Sequence, residues 1–374
     1  MMAKKTFGHG YSRRQFCGNA VGVLAGSAAM GMSGKSSETP SVAAEISTEN
    51  STENSTENSK ENLKKRSTNF LNLSDSFSLD GNVAKFHLSP QEKVCQPLKI
   101  MAITDTHLFL DDERGETFRS YSQRMAQAYH VTRHWKTNAE TTPQQCFAET
   151  LHIAVQQQVD AIIMTGDMVS FPSEAGVDYM VQHLTETGIP FYYISGNHDW
   201  HYEGMEGTEA ALRAEWTSKR LSPLYQGHKP LGYGVTLHGI RLLLIDDSIT
   251  EIVPEQLELL RTELAMGDPT LLFMHIPFYA PGRSVGYGCG HPEWNAASDG
   301  NWQIERRPRW PESGLSDITY TFRQEALTTP NLLGVFAGHI HTQTLDIVAG
   351  KPLVTMGANL NGAFQIIQII PTIQ

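Results

Sequence analysis

The sequence predicts an α/β fold of four layers, α/β/β/α, in which two mixed β-sheets pack face to face and helices flank them. Three observations predict it. Five apolar, strand-like runs each close on a polar cluster: Leu98 to Thr104 on Asp105-Thr106-His107, Ala161 to Thr165 on Gly166-Asp167, Phe191 to Ser195 on Gly196-Asn197-His198-Asp199, Leu271 to Met274 on His275, and Leu332 to Ala337 on Gly338-His339-Ile340-His341. Stretches with apolar residues at a period of about 3.6 alternate with these runs. The second half then adds more short strands than helices, as two sheets would require.

Taken in order, the first segment reads as an address. Lys4 and Lys5 precede Ser12-Arg13-Arg14-Gln15-Phe16, and a small-residue apolar stretch runs from Ala20 to Met32. Residues 1–34 thus resemble a twin-arginine export signal, which implies delivery of a folded protein by the twin-arginine machinery to a periplasmic or extracellular location. The apolar stretch is shorter than the roughly 20 residues that span a bilayer, so no stable transmembrane segment is expected after processing. Residues 35–66 read as a tether: Ser-Thr-Glu-Asn occurs three times between Ser47 and Asn58, and no apolar side chain appears from Ser47 to Asn62. Such a segment cannot bury enough surface to offset the entropy of ordering it. In residues 67–95, Phe77 to Leu79 and Val83 to Leu88 flank Asp80-Gly81-Asn82, the pattern of a hairpin leading into the main domain.

The main domain is expected over residues 96–374. Helices are expected over Pro143 to Gln158, Ser173 to Thr187, Thr208 to Ser218 and Pro254 to Met266, each opening on Pro, Ser or Thr. A second hairpin joins Gly232–Leu237 to Arg241–Asp246 through His238-Gly239, and three strands follow around 344–348, 352–356 and 364–370.

A formal charge of -11 repels phosphate polymers, which argues against a nucleic-acid partner, and an anionic substrate would need a local positive centre. Bound metal ions supply one even in an acidic protein. Cys17 falls in the signal, and Cys95, Cys146 and Cys289 have neither zinc-ligand nor disulfide-framework spacing.

Carboxylate, imidazole and amide groups delivered to one sheet edge suit hard or borderline cations, iron, manganese or zinc, and the absence of thiolates argues against structural zinc. In their order, Asp-x-His, Gly-Asp, Gly-Asn-His-Asp, His and Gly-His-x-His resemble the calcineurin-like metallophosphoesterases. The resemblance implies a small phosphoester substrate and two metal ions. Asp105, His107 and His341 would hold one ion, and Asn197, His275 and His339 the other. Asp167 would bridge both, one carboxylate oxygen to each. A hydroxide between the ions would attack phosphorus in line, and His198 would protonate the departing oxygen, with Asp199 fixing the far nitrogen of the His198 ring. A metal-bearing scaffold without turnover on the same fold is the competing class.

Within the family, Thr104-Asp105-Thr106-His107-Leu108-Phe109 is similar to the opening of bacterial cyclic-nucleotide phosphodiesterases, whereas export argues for a scavenging or envelope-modifying hydrolase. Asp167-Met168-Val169-Ser170 lacks the tyrosine that purple acid phosphatases place there. Specificity is expected in a loop insertion over residues 277–319, where Tyr279, Arg283, Tyr287, Trp294, Trp302, Arg306, Arg307, Arg309 and Trp310 could grip phosphate or stack on a ring, or form a small core of a lid. Arg283, His201 and His291 are candidate substrate contacts.

Overall fold

Alternating side-chain direction along the strands decides how the two sheets meet. The computed structural model describes residues 76–89, 94, 96–283, 288–293 and 315–372. The signal, the tether, Cys95, Tyr287, and the tryptophans and arginines of residues 294–310 lie outside the described residues. The first sheet has the order β1 (Phe77–Asp80), β2 (Val83–Leu88), β14 (Gln365–Pro371), β3 (Leu98–Ile103), β6 (Ala161–Thr165) and β7 (Phe191–Ile194). The second has the order β12 (Thr344–Val348), β13 (Lys351–Thr355), β11 (Leu332–Ala337), β10 (Thr270–Phe273), β9 (Ile240–Ile245) and β8 (Gly232–Leu237). A small ribbon, β4 (Thr132–Arg133) with β5 (Glu140–Thr141), stands apart from both.

Period two sends successive residues to opposite faces. In β9, Leu242 and Leu244 join the large core that also holds Ile100, Ile163 and Ile367 of the first sheet, while Leu243 and Ile245 join a second core with Leu257, Leu260 and Phe322. In β10, Leu271 and Phe273 face the first core, and Leu272 and the following Met274 belong to the second. Sheet two is therefore buried on both faces, which is why its strands read as continuous apolar runs rather than alternating ones. Phe86 of β2 meets Phe336 of β11 edge-on across the layers, with ring centroids 6.2 Å apart.

The predicted strands and helices form with ends shifted by at most two residues. Seven helices are used below: α1 (Arg119–Ala128), α2 (Pro143–Gln157), α3 (Glu174–Thr187), α4 (Glu209–Trp216), α5 (Ser222–Tyr225), α6 (Pro254–Ala265) and α7 (Asp317–Thr328). Thr142, Ser173 and Thr208 cap α2, α3 and α4 with side-chain oxygens that accept backbone N–H groups of the first turn.

Three features depart from expectation. The hairpin read as a lead-in is built into the first sheet, because β2 pairs in parallel with β14, the last strand of the chain. Helix α1 is not among those expected: it is polar overall and buries only Ser122 and Met125, so its apolar face is thin. The insertion is shorter than 277–319, since Ser316 caps α7 and residues 317–319 form its first turn.

Strands β3, β6 and β7 run parallel, as do β9, β10 and β11. All five clusters therefore leave carboxyl ends of parallel strands, where open α/β sheets place ligands.

Candidate metal centre

Sharp reversals after the strands turn the cluster side chains toward one another. Asp105, His107, Asp167, His339 and His341 all hold positive φ, between 51° and 72°, a region that non-glycine residues avoid. Five ligand candidates in that region mark stored backbone strain of the kind that clusters at functional sites. The neighbouring loops hold them there. Asp105 N donates to Gly166 O (3.0 Å), His107 N to Asp167 O (2.9 Å), and Gly338 N to His275 O (2.8 Å).

Two glycines permit this closeness. A Cβ on Gly196 would fall on the backbone nitrogen and Oδ1 of Asp167, and one on Gly338 would fall on Thr104 Oγ1 and Asp105 Oδ2. Gly338→Ala is expected to push Asp105 out of place, lower stability by about 1–3 kcal/mol, and weaken metal binding. Thermal unfolding with and without added manganese checks this, and an unchanged metal-dependent shift would refute it.

Each carboxylate has one oxygen committed to protein and one turned inward. Asp105 Oδ2 accepts Thr104 Oγ1 (2.8 Å) and His339 N (2.9 Å), while Oδ1, buried and without a hydrogen bond, lies 3.3 Å from His341 Nε2 and 3.9 Å from His107 Nε2. Asp167 Oδ1 accepts His198 N (2.7 Å), while Oδ2 lies 3.2 Å from His275 Nε2 and 3.9 Å from His107 Nε2. Asp167 thus turns its two oxygens to different neighbours: the backbone donates to Oδ1, and both histidines face Oδ2.

His275 is fixed from behind. Its Nδ1 must donate to the Thr165 carbonyl (2.9 Å), which only accepts, so Nε2 is the atom presented to Asp167 Oδ2 and to Asn197 Oδ1, 3.2 Å from each. Its backbone N–H and that of Ile276 donate to Asp247 Oδ1 (3.0 and 3.1 Å). His107 Nε2 and His341 Nε2 approach to 3.1 Å.

Lone pairs that converge like this repel unless a proton or a cation lies among them. Burial disfavours a charged His275, yet Asp167, Asp105 and Asp247 outweigh it and raise its pKa to about 10. Burial would raise the Asp105 carboxyl, but His341 beside it brings it down to about 2. Asp167, which burial would also raise, is held well below the usual carboxylate range by His275 and His198. The pocket is therefore built to hold positive charge.

Asp105, His107 and His341 offer ligand atoms within 4.8 Å of one another, and so do Asp167, His275 and His339. His198 also comes within that range of His107 and Asp167. Oxygen and nitrogen donors of this kind fit iron, manganese or zinc. No thiol takes part in these groups; Cys146 and Cys289 are buried and free.

Residues 98–343 match the family described as calcineurin-like phosphoesterase. The chain belongs to that family. A Psychrobacter arcticus protein named "Probable cyclic nucleotide phosphodiesterase" is 31% identical over 190 residues, 49% of this chain and 57% of that protein, so the match spans little more than half of the relative's length. Among solved structures, a dimetal phosphatase from Danio rerio is 12% identical with a TM-score of 0.45, covering 72% of this chain and 91% of that one. A purple acid phosphatase from yellow lupin is 12% identical with a TM-score of 0.41, covering 77% of this chain and 46% of that one.

Other sequence-stated roles are redistributed. Asp199 does not orient His198: its carboxylate accepts the backbone N–H groups of Val169 (2.9 Å) and Gly196 (2.8 Å), and His198 Nδ1 is buried without a hydrogen bond. Burial and the Asp167 charge push the Asp199 carboxyl up to about 7. It braces the second cluster against the third. Arg283 is not poised for substrate, because its guanidinium donates to Thr355 Oγ1 and Thr344 Oγ1 (3.0 Å each) and pairs with Asp346. His291 packs edge-on to Tyr279 with centroids 4.3 Å apart and accepts Glu293 N at Nδ1 (2.9 Å), so it serves the insertion's own packing. His201 adjoins the site through its backbone N–H, which donates to His198 O (3.1 Å).

Three residues at the site had no place in the sequence reading. Asp247 follows β9 as the other clusters follow their strands, and that strand-end acid pair, Asp246-Asp247, was a usable signal. Asn359 accepts Thr106 Oγ1 (3.2 Å) and donates to Thr150 Oγ1 (2.8 Å), while its backbone N–H donates to Thr104 O (2.8 Å). The Tyr129 ring packs at a tilt against His107, with centroids 4.4 Å apart at 34°. The last two contacts join distant segments and leave no local pattern.

Proposed function

We propose that the chain is a binuclear metal-dependent phosphoester hydrolase, exported as a folded enzyme and acting on small phosphoesters. The observation that carries this reading is Asp167 Oδ2, which faces His107 of one ligand group and His275 of the other. Asp105, His107 and His341 would hold one ion, Asn197, His275 and His339 the other, and Asp167 would serve both. When bound, the two ions neutralise phosphoryl charge and make a nucleophile available at neutral pH.

The chain's own groups do the rest. Asp105 and Asp167 keep their charge, because neighbouring histidines depress both carboxyls. The Thr165 carbonyl holds the His275 tautomer, so Nε2 faces inward throughout. His198, whose ring lies edge-on to His107 with centroids 4.9 Å apart, holds the proton given to the departing oxygen. Export is supported by Arg13-Arg14 with the apolar stretch after it, and among the described residues no helix is long and apolar enough to cross a membrane.

The test is hydrolysis of a chromogenic phosphomonoester, a chromogenic phosphodiester and a cyclic nucleotide by the protein loaded with manganese, iron or zinc. Turnover of one ester class or more is expected, abolished by chelation and restored by metal. Chelation should also lower the thermal midpoint, since ions that bind only the folded state stabilise it. A protein that binds metal yet hydrolyses none of the esters would be the scaffold instead.

A further inference from the structure

His107 of one ligand group and His275 of the other are held in different ways. His275 follows the usual rule for a ligating imidazole, with the nitrogen away from the site donating to a carbonyl, Thr165 O at 2.9 Å. His107 breaks that rule: its Nδ1 is buried and has no hydrogen bond, and the side chain is fully inaccessible. Its ring is instead enclosed by other rings. Tyr129 lies over it at 4.4 Å and 34°, and His198 meets it edge-on at 4.9 Å and 81°. Tyr129 also adjoins His341, the partner of His107 in the same ligand group, at 6.0 Å and 55°.

Tyr129 is well placed to hold a neighbour still. It directly follows α1, whose flanking Phe118 stacks on Tyr202 with centroids 5.2 Å apart and whose Arg124 pairs with Glu203, both in the segment after His198. Three residues beyond Tyr129, Thr132 Oγ1 donates to Leu360 O (2.7 Å), and Leu360 N donates to Asp105 O (2.9 Å). The tyrosine is thus tied on both sides to loops that carry ligands.

We propose that Tyr129 is a positioning residue for one metal position only: its ring face fixes the orientation of His107, and flanks His341, in place of the hydrogen bond that fixes His275. Apolar and π contact restrict rotation of an imidazole without constraining Nδ1. The two metal positions therefore depend on different supports, and the inference rests on the two-metal reading above.

The experiment measures manganese binding by calorimetry on the metal-stripped full chain, with stoichiometry by elemental analysis, for the parent, Tyr129→Ala and Tyr129→Phe. The parent is expected to bind two ions. Tyr129→Ala should weaken one of them by about tenfold or more, the range seen when the group supporting a ligand is removed, and leave the other unchanged. Tyr129→Phe keeps the ring and should bind like the parent. Equal binding by Tyr129→Ala and the parent would overturn the proposal, as would a Tyr129→Phe as weak as Tyr129→Ala, which would assign the role to the hydroxyl. Weakening of both ions in Tyr129→Ala would overturn it too, by showing a general loss of structure. A parent that binds fewer than two ions would overturn the two-metal reading itself, a result distinct from any of these.

Discussion

Asp167→Asn is expected to remove both metal ions and to lower hydrolysis by at least about three orders of magnitude, since metal stabilisation of the transition state is worth several kcal/mol. The substitution is clean for a geometric reason. Asp167 Oδ1 accepts His198 N at 2.7 Å, and an asparagine Oδ1 can accept the same bond, so the loop after β6 keeps its path. The change falls on Oδ2, which lies 3.2 Å from His275 Nε2 and 3.9 Å from His107 Nε2. An amide nitrogen there carries hydrogens and no charge, and it cannot ligate. Elemental analysis of the purified variant checks the first half, and hydrolysis of the best ester found for the parent checks the second. Two ions per chain in Asp167→Asn would sink the bridging role.

His198→Ala separates acid catalysis from metal binding. Its backbone N–H contacts Asp167 whatever the side chain, so removing the ring should leave the ligand loops in place. Turnover should fall by about two to four orders of magnitude, the usual contribution of a positioned acid, and least for esters whose leaving group needs no proton. Metal content should stay at the parent's value. This outcome is a real discrimination, because a His198 nitrogen lies within ligand range of His107 and Asp167. Loss of one ion together with activity would make His198 a ligand and leave the general acid unassigned.

The contrast between Asp167 and Asp199 shows how far local sequence carries. Both carboxylates close strands in a Gly-containing cluster, and both are buried. One is drawn down by histidines and faces the ligand groups, whereas the other is raised by burial and holds backbone amides of Val169 and Gly196. The residue types are alike; only the neighbours brought by the fold separate their roles. Arg283 makes the same point. A guanidinium in a loop rich in aromatics suggests phosphate, and Thr344 and Asp346 of the second sheet's edge strand, with Thr355 of the strand beside it, absorb it.

The sequence by itself determined the strands, their polar endings and the residue types gathered there, because burial on both faces writes continuous apolar runs and a strand end is a local event. From those followed the α/β class, the candidate ligands and the family. The tertiary structure alone decided which Asp167 oxygen faces inward, that β2 and β14 pair across the length of the domain, that Asp199 braces loops, and that Tyr129 covers His107. These are contacts between segments far apart in the chain, fixed by packing and hydrogen-bond satisfaction in three dimensions, and no periodicity along one strand or helix encodes them.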